Sequence, residues 1–273
     1  MDINTLIQLV PESERNIKRL RFIKQSSNTP RIAVFGKYNH GKSTLLNAII
    51  GHEVFKAADK RETVKNSEFE HNGVIWIDTP GLDADVHQND DKAAMKGAFD
   101  VADYIFLVHQ VTAGELDKKE LQIFNQLAKQ DKNYRQKMCI VLTQVDQKSA
   151  DDLNQIRNKI ENQLLKSIEL KDLAMIAVSA ARHLKGIKEN KLIFCERSGM
   201  DQLFCLISEI KENINTLRVK EIERLKRKLS LEIDTKKKQI QDELNQAKYI
   251  YNKNITNFEK DIRKFATEVS LRG

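Results

Sequence analysis

The sequence predicts an α/β fold: a largely parallel β-sheet with helices on both faces, preceded by an N-terminal helix and followed by a long helical arm. Three observations carry this expectation. Between residue 31 and about residue 217, short apolar runs rich in β-branched residues alternate with helix-like stretches, the order that produces a helix-covered parallel sheet. Residues 2–26 place Ile3, Leu6, Ile7 and Val10, then Ile17, Leu20 and Ile23, at helical spacing on either side of Pro11. From Ile214 onward neither Pro nor Gly occurs until Gly273, so nothing in the text stops a helix.

Taken in order, "RIAVF", "VIWID", "YIFLVH", "MCIVL" and "MIAVS" are the strand candidates. Helical stretches are expected around 43–51, 92–102, 117–130 and 149–167. Asn72-Gly73, between "SEFEH" and "VIWID", is a hairpin signal. "SGMDQLFCLISEI" reads as a helix closing this region, with Ser198 as its cap. In the arm, apolar residues from Ile222 through Leu225, Leu229, Ile233, Ile240, Leu244, Ala247, Tyr251, Ile255, Phe258, Ile262 and Phe265 to Val269 recur about every 3.6 residues once Lys236 fills the one gap. A helix of about 50 residues would extend roughly 75 Å. Its stripe needs cover, and residues 2–26 are too short to supply all of it. The chain therefore divides into an N-terminal helical segment (1–29), an α/β domain (30–217) and an arm (218–273) that bundles with the first helix.

Bulk properties narrow the class. Of 273 residues, 40% are apolar and 31% charged, enough for a core in a soluble protein. No apolar stretch reaches the roughly 20 residues that span a bilayer, and "MDINTLIQLVPESERN" lacks the pattern of a secretory signal. Three scattered cysteines, Cys139, Cys195 and Cys205, suit reduced thiols rather than disulfides. A cytoplasmic location is expected, with the inner face of the membrane as a peripheral site. The net charge of +7 concentrates toward the C-terminus, in "RVKEIERLKRKL" and "DTKKKQIQ". Acids are interleaved there, as on a solvated helix face.

"GKYNHGKST", Gly36 to Thr44, follows the first strand candidate and opens a helix. Gly-x-x-x-x-Gly-Lys-Ser in that context is a phosphate-gripping loop. Gly36 and Gly41 let backbone N–H groups turn inward, and the helix N-terminus adds positive partial charge. Lys42 is suited to the β- and γ-phosphates and Ser43 to Mg²⁺. In "WIDTPGL", Asp78 ends a strand where a carboxylate can hold the Mg²⁺ hydration shell, and the Gly81 amide can meet a γ-phosphate. In "LTQVD", Asp146 can accept two hydrogen bonds from the guanine edge, which adenine does not offer. "VSA" adds Ser179 and Ala180, whose amide can touch the guanine oxygen.

By these residues the chain resembles the translation-factor-like P-loop GTPases, a three-layer sandwich, and is most similar to bacterial dynamin-like proteins, with the Era-like branch second. The resemblance covers roughly 30–217. It implies a guanine nucleotide, GTP or GDP, with Mg²⁺. Thr143 fits the T-K-x-D variant of the base motif, while Gln144 stands where Lys is usual, which implies weaker guanine affinity. Thr63, in "DKRETV", stands where the family puts the switch Thr that closes on Mg²⁺. The nucleotide set is completed by Asn39, His40 and Thr44. Lys42, Ser43, Thr63 and Asn39 are the candidates for the hydrolytic step, and Ser43, Thr63 and Asp78 for the metal.

Hydrolysis is the harder question. Leu82 stands where Ras-like enzymes orient water with Gln, although dynamin-like and Era-like enzymes share an apolar residue there. Asn39 matches the loop Asn that binds K⁺ in several Era-like GTPases; the competing reading is a simple loop cap. His40 is expected to be exposed, facing the nucleotide or a dimer partner. His52, His71, His87, His109 and His183 show no metal-ligand spacing and receive no role. The resemblance implies a slow GTPase activated when two G domains pair, with the arm passing nucleotide state to partner helices, another protein or a membrane surface. Two rivals stand beside it: an Era-like K⁺-activated GTPase acting on RNA or ribosomes, and a GTP-sensing scaffold without hydrolysis. Nucleic acid ranks behind protein and membrane as a partner, because the arm lacks a compact module of stacking aromatics.

Overall fold

A computed structural model describes residues 3–55, 67–79, 97–130, 134–168 and 173–271. Its contacts divide into two compact units: Lys24–Val219, and Met1–Ile23 together with Lys220–Gly273.

The larger unit is built on a six-stranded sheet: β1 Arg31–Gly36, β2 Ser67–His71, β3 Val74–Asp78, β4 Tyr104–Gln110, β5 Met138–Thr143 and β6 Ala174–Ala177. The order is β2-β3-β1-β4-β5-β6. β2 and β3 are antiparallel, joined through Asn72 and Gly73, whose φ angles are 48° and 69°. Positive φ at both central residues is what a tight two-residue hairpin turn requires. All other neighbours are parallel.

Alternation along the strands makes the layers. Ile32 and Val34 of β1 join one apolar cluster, Ala33 and Phe35 the other, because successive side chains point to opposite faces. The first cluster receives Leu45 and Leu46 from α3 (Lys42–Ile50) and Met200, Leu203, Ile207 and Ile210 from α8 (Met200–Ser270). The second receives Phe124 from α4 (Lys118–Gln130) and Ile156, Ile160 and Leu164 from α5 (Ala150–Ile168). Each fully buried large apolar side chain contributes about 1.5–3 kcal/mol. The result is the expected three-layer sandwich. α6 (Ala180–Glu189) and α7 (Leu192–Glu196) were not foreseen, although Ser179 caps α6 by accepting from the Arg182 N–H.

One buried ion pair fastens α8 to this sheet. Arg218 donates from Nε to Asp103 Oδ1 at 3.1 Å and from Nη2 to Oδ2 at 2.6 Å. It also donates to the carbonyls of Ser27 and Thr29, and Asp103 Oδ2 accepts the Arg31 N–H at 3.0 Å.

In the smaller unit, α1 (Ile3–Leu9) and α2 (Glu14–Gln25) are separated by a 3-10 turn at Pro11–Ser13. Val10, Ile17 and Leu229 form its core, with Ile3, Leu6, Ile7 and Leu20 packed around them. Arg19 binds Glu221 through Nε and Nη2 at 3.2 and 3.1 Å, both side chains being 7% exposed. Ser13 donates to Glu232.

The sequence reading placed a closing helix before about 217 and a separate arm after it; they are one helix, α8, of 71 residues. With neither Pro nor Gly inside it, nothing interrupts the hydrogen-bond ladder. Toward its end Ile240, Leu244, Tyr251, Phe258, Ile262 and Phe265 are exposed. No described helix is long and apolar enough to cross a membrane.

Candidate nucleotide-binding site

The candidate residues gather at the C-terminal edge of the parallel strands, where open α/β sheets bind ligands. The loop after β1 runs from Gly36 into α3. A Cβ on Gly36 would lie 2.5 Å from the Val108 carbonyl oxygen of β4, so only glycine lets the strands pack this closely. Gly41 has φ +91° and caps α3, a conformation glycine adopts without strain. Asn39, also at positive φ (61°), is exposed.

Lys42 folds back over the loop: its Nζ donates to the carbonyls of Gly36 and Lys37, both at 2.9 Å. An ammonium held on the loop's own oxygens is placed where a phosphate would sit. Ser43 and Thr44 follow on the first turn of α3, half-buried.

Asp78, paired in register with Val34 of β1, is 8% exposed. Its Oδ1 is buried and has no hydrogen-bond partner among the described residues. Burial raises its pKa to about 6, against the lowering pull of Lys42 and of the Thr79 N–H. An orphaned, desolvated carboxylate beside a helix N-terminus fits a hydrated Mg²⁺. Thr79 donates to the Val34 carbonyl at 2.8 Å and holds the strand end in place. Thr63, Gly81 and Leu82 lie outside the described residues.

The base-side motif is tied to the phosphate loop. Thr143 Oγ1 donates to the His40 carbonyl at 2.7 Å. Gln144, at φ 60°, donates from Nε2 to Gln110 Oε1 at 3.2 Å and toward the Asn39 carbonyl at 3.4 Å. Its amide is therefore engaged with the loop. Asp146 is exposed in the 3-10 turn Val145–Gln147, open to a purine edge. Ser179 and Ala180 stand at the start of α6, both buried, with the Ser179 hydroxyl already used as the helix cap.

His40 corrects its expectation: it is 4% exposed. Its ring meets that of His109 edge-on, with centroids 5.3 Å apart, and both face Glu120 of α4. His109 was given no role because no spacing links it to a partner, yet His40, His109 and Glu120 bring their donor atoms within 4.8 Å of one another. They come from a loop, a strand and a helix, so sequence spacing cannot reveal them. One signal was available: "DKKE" makes a capping box, in which Glu120 Oε2 accepts the Asp117 N–H at 3.0 Å and Asp117 Oδ1 accepts the Glu120 N–H at 2.9 Å. Burial raises the Glu120 pKa, but the neighbouring His109 and His40 rings outweigh it and bring it down to about 2.

A sheet of this order, with a glycine-lysine-serine loop after β1, Asp78 ending β3 and Thr143–Asp146 ending β5, defines the P-loop GTPase class. Residues 31–144 match the family described as 50S ribosome-binding GTPase. Over 224 residues it is 38% identical to an uncharacterized protein of Acinetobacter baylyi, covering 82% of this chain and 52% of that one. It is 26% identical over 199 residues to GTPase Der of Persephonella marina, covering 68% and 43%. The chain thus spans about half the length of these curated relatives. Among solved structures it is similar to a bacterial dynamin of an oligomerised pair described as sensing and tethering membranes (TM-score 0.58, 17% identity, 98% of this chain and 50% of that one). It is also similar to the bacterial dynamin GTPase LeoA from ETEC (TM-score 0.53, 17% identity, 88% and 45%). At these identities the likeness is one of fold.

Proposed function

We propose that the chain binds GTP with Mg²⁺ and hydrolyses it slowly, in the manner of a dynamin-like GTPase. One observation carries the reading: the Lys42 ammonium, poised on the loop carbonyls, and the unpartnered Asp78 oxygen flank the first turn of α3. Lys42 binds the β- and γ-phosphates, loop amides hold their oxygens, and Ser43, Thr63 and Asp78 take Mg²⁺ or its waters. The ion supplies neutralisation of charge developing on the transferred phosphoryl. Asp146 accepts from the guanine edge, Thr143 steadies the loop beneath it, and the Ala180 amide approaches the guanine oxygen.

Pairing of two G domains completes the site, with Asn39 as the K⁺ ligand. In the cytoplasm, α8 carries nucleotide state away from the sheet, and its exposed apolar residues from Ile240 to Phe265 receive partner helices, a protein or the inner face of the membrane. Domain boundaries at 29 and 217 belong to this reading. The fold of the bacterial dynamins supports it over the ribosome-directed alternative, which the family description keeps as the second reading.

GTP turnover measured across protein concentration, in K⁺ and in Na⁺, tests it. A specific rate that rises with concentration and is higher in K⁺ is expected. Flat background turnover throughout would leave a GTP-sensing scaffold. Asp146→Asn is expected to abolish the preference for GTP over ATP in a competition assay; equal binding of both nucleotides by the unaltered chain would sink the guanine assignment.

A further inference from the structure

We propose that His40, His109 and Glu120 form a second metal site, distinct from the Mg²⁺ position and selective for a zinc-class divalent ion. His109 Nε2 lies 3.1 Å from the Gly114 carbonyl oxygen. A carbonyl only accepts, so Nε2 carries the proton and donates; this is the outer bond that orients most metal-binding imidazoles. That bond leaves the Nδ1 lone pair of a neutral ring pointing at Glu120 Oε1, 2.8 Å away. The carboxylate oxygen there is one of three donor atoms that face one another. A cation between ring nitrogen and carboxylate, either a second ring proton or a metal, would serve both groups.

His40 separates the two cases. Its Nδ1 lies 3.5 Å from the same oxygen, is buried, and has no hydrogen-bond partner among the described residues. A proton shared by His109 and Glu120 leaves that nitrogen orphaned, at the desolvation cost of an unpaired buried polar atom. A metal ion uses all three donors at once. Glu120 Oε1 lies 2.8 and 3.5 Å from the two ring nitrogens and all three donors lie within 4.8 Å of one another, a spacing comparable with that of donors around a tetrahedral ion with bonds of about 2.0–2.1 Å. Two imidazoles and one carboxylate are a zinc-class set with a fourth position left over, whereas Mg²⁺ takes oxygen ligands. Glu120 is oriented by its capping box, so the outer partners of two of the three ligands, His109 and Glu120, are already in place.

The site touches the phosphate loop directly. His40 stands between Asn39 and Gly41, and its carbonyl receives the Thr143 hydroxyl. Metal occupancy therefore bears on the loop through His40 itself.

The 273-residue chain, stripped with a chelator, is titrated with Zn²⁺ against a chromophoric competitor, and Co²⁺ is bound in parallel for its visible spectrum. One equivalent is expected, with a Co²⁺ spectrum lacking thiolate charge-transfer bands. His40→Ala and Glu120→Gln are each expected to lower Zn²⁺ affinity by about 100-fold or more, since even outer-ligand changes cost 10–100-fold. Cys195→Ser with Cys205→Ser leaves affinity unchanged. Should Glu120→Gln fail to fold, His40→Ala, in a loop, decides alone. Absence of stoichiometric binding, equal affinity in the His40 variant, or loss in the cysteine variant overturns the proposal and assigns the bridging cation as a proton. Because no nucleotide is added, a failure of the GTPase reading leaves this result intact.

Discussion

Removing the Arg218 side chain tests how α8 is held to the sheet. Arg218→Ala deletes two hydrogen bonds to Asp103 and those to Ser27 and Thr29. It leaves Asp103, whose side chain is 3% exposed, with the Arg31 N–H and no counter-charge from this arginine. An ionised carboxylate stranded in that position makes breaking a buried pair cost about 3–5 kcal/mol. Replacing both partners by apolar residues costs much less, so Arg218→Met with Asp103→Leu should recover more than half of the loss. Trp76 is the chain's one tryptophan and is 1% exposed within the sheet. Its fluorescence during urea unfolding reports the larger unit separately, which matters because two units need not unfold together. A destabilisation below about 1 kcal/mol for Arg218→Ala, the range of exposed pairs, would refute the reasoning. So would a double variant weaker than the single one.

Three further outcomes follow from the site. Lys42→Ala should remove nucleotide binding, measured with a fluorescent GTP analogue, while the unfolding midpoint changes little. Gly36→Ala should destabilise by about 1–3 kcal/mol, because its Cβ meets the Val108 carbonyl oxygen at 2.5 Å; an unchanged midpoint would show that β1 and β4 can separate there. In the metal-free chain, Glu120 has a folded pKa of about 2, below its ordinary 4.5. A depressed carboxylate pKa adds stability above the unfolded value and loses it as pH falls from about 4.5 toward 2. Glu120→Gln should therefore flatten the acid limb of an unfolding-midpoint profile between those values, and an unchanged limb would contradict the shift.

The strands were legible because a parallel sheet buries both faces and writes itself as continuous apolar text, as in "YIFLVH" and "MCIVL". The phosphate loop was legible because its backbone geometry demands glycines at fixed separation. The length of α8 was underestimated because its first part follows the packing of the sheet and its later part its own stripe, so one helix reads as two patterns. α6 was missed because "AARHLKGIKE" carries a glycine, Gly186, where a Cβ would meet Cys195 of the next helix. His40, His109 and Glu120 were illegible for a different reason: their meeting depends on the register of β1, β4 and α4, which no local spacing encodes. Asp146 and Lys42 lay in motifs, and motifs are local.

The Thr143 hydroxyl has one hydrogen to give, and it gives it to the His40 carbonyl. The end of β5 that leads to Asp146 and the loop that leads to Lys42 are thereby pinned to each other, with Gln144 as a second stay. Such a site works as a ruler of fixed span. On the reading proposed above, the distance from base to phosphate grip is then set by the protein and not by the nucleotide.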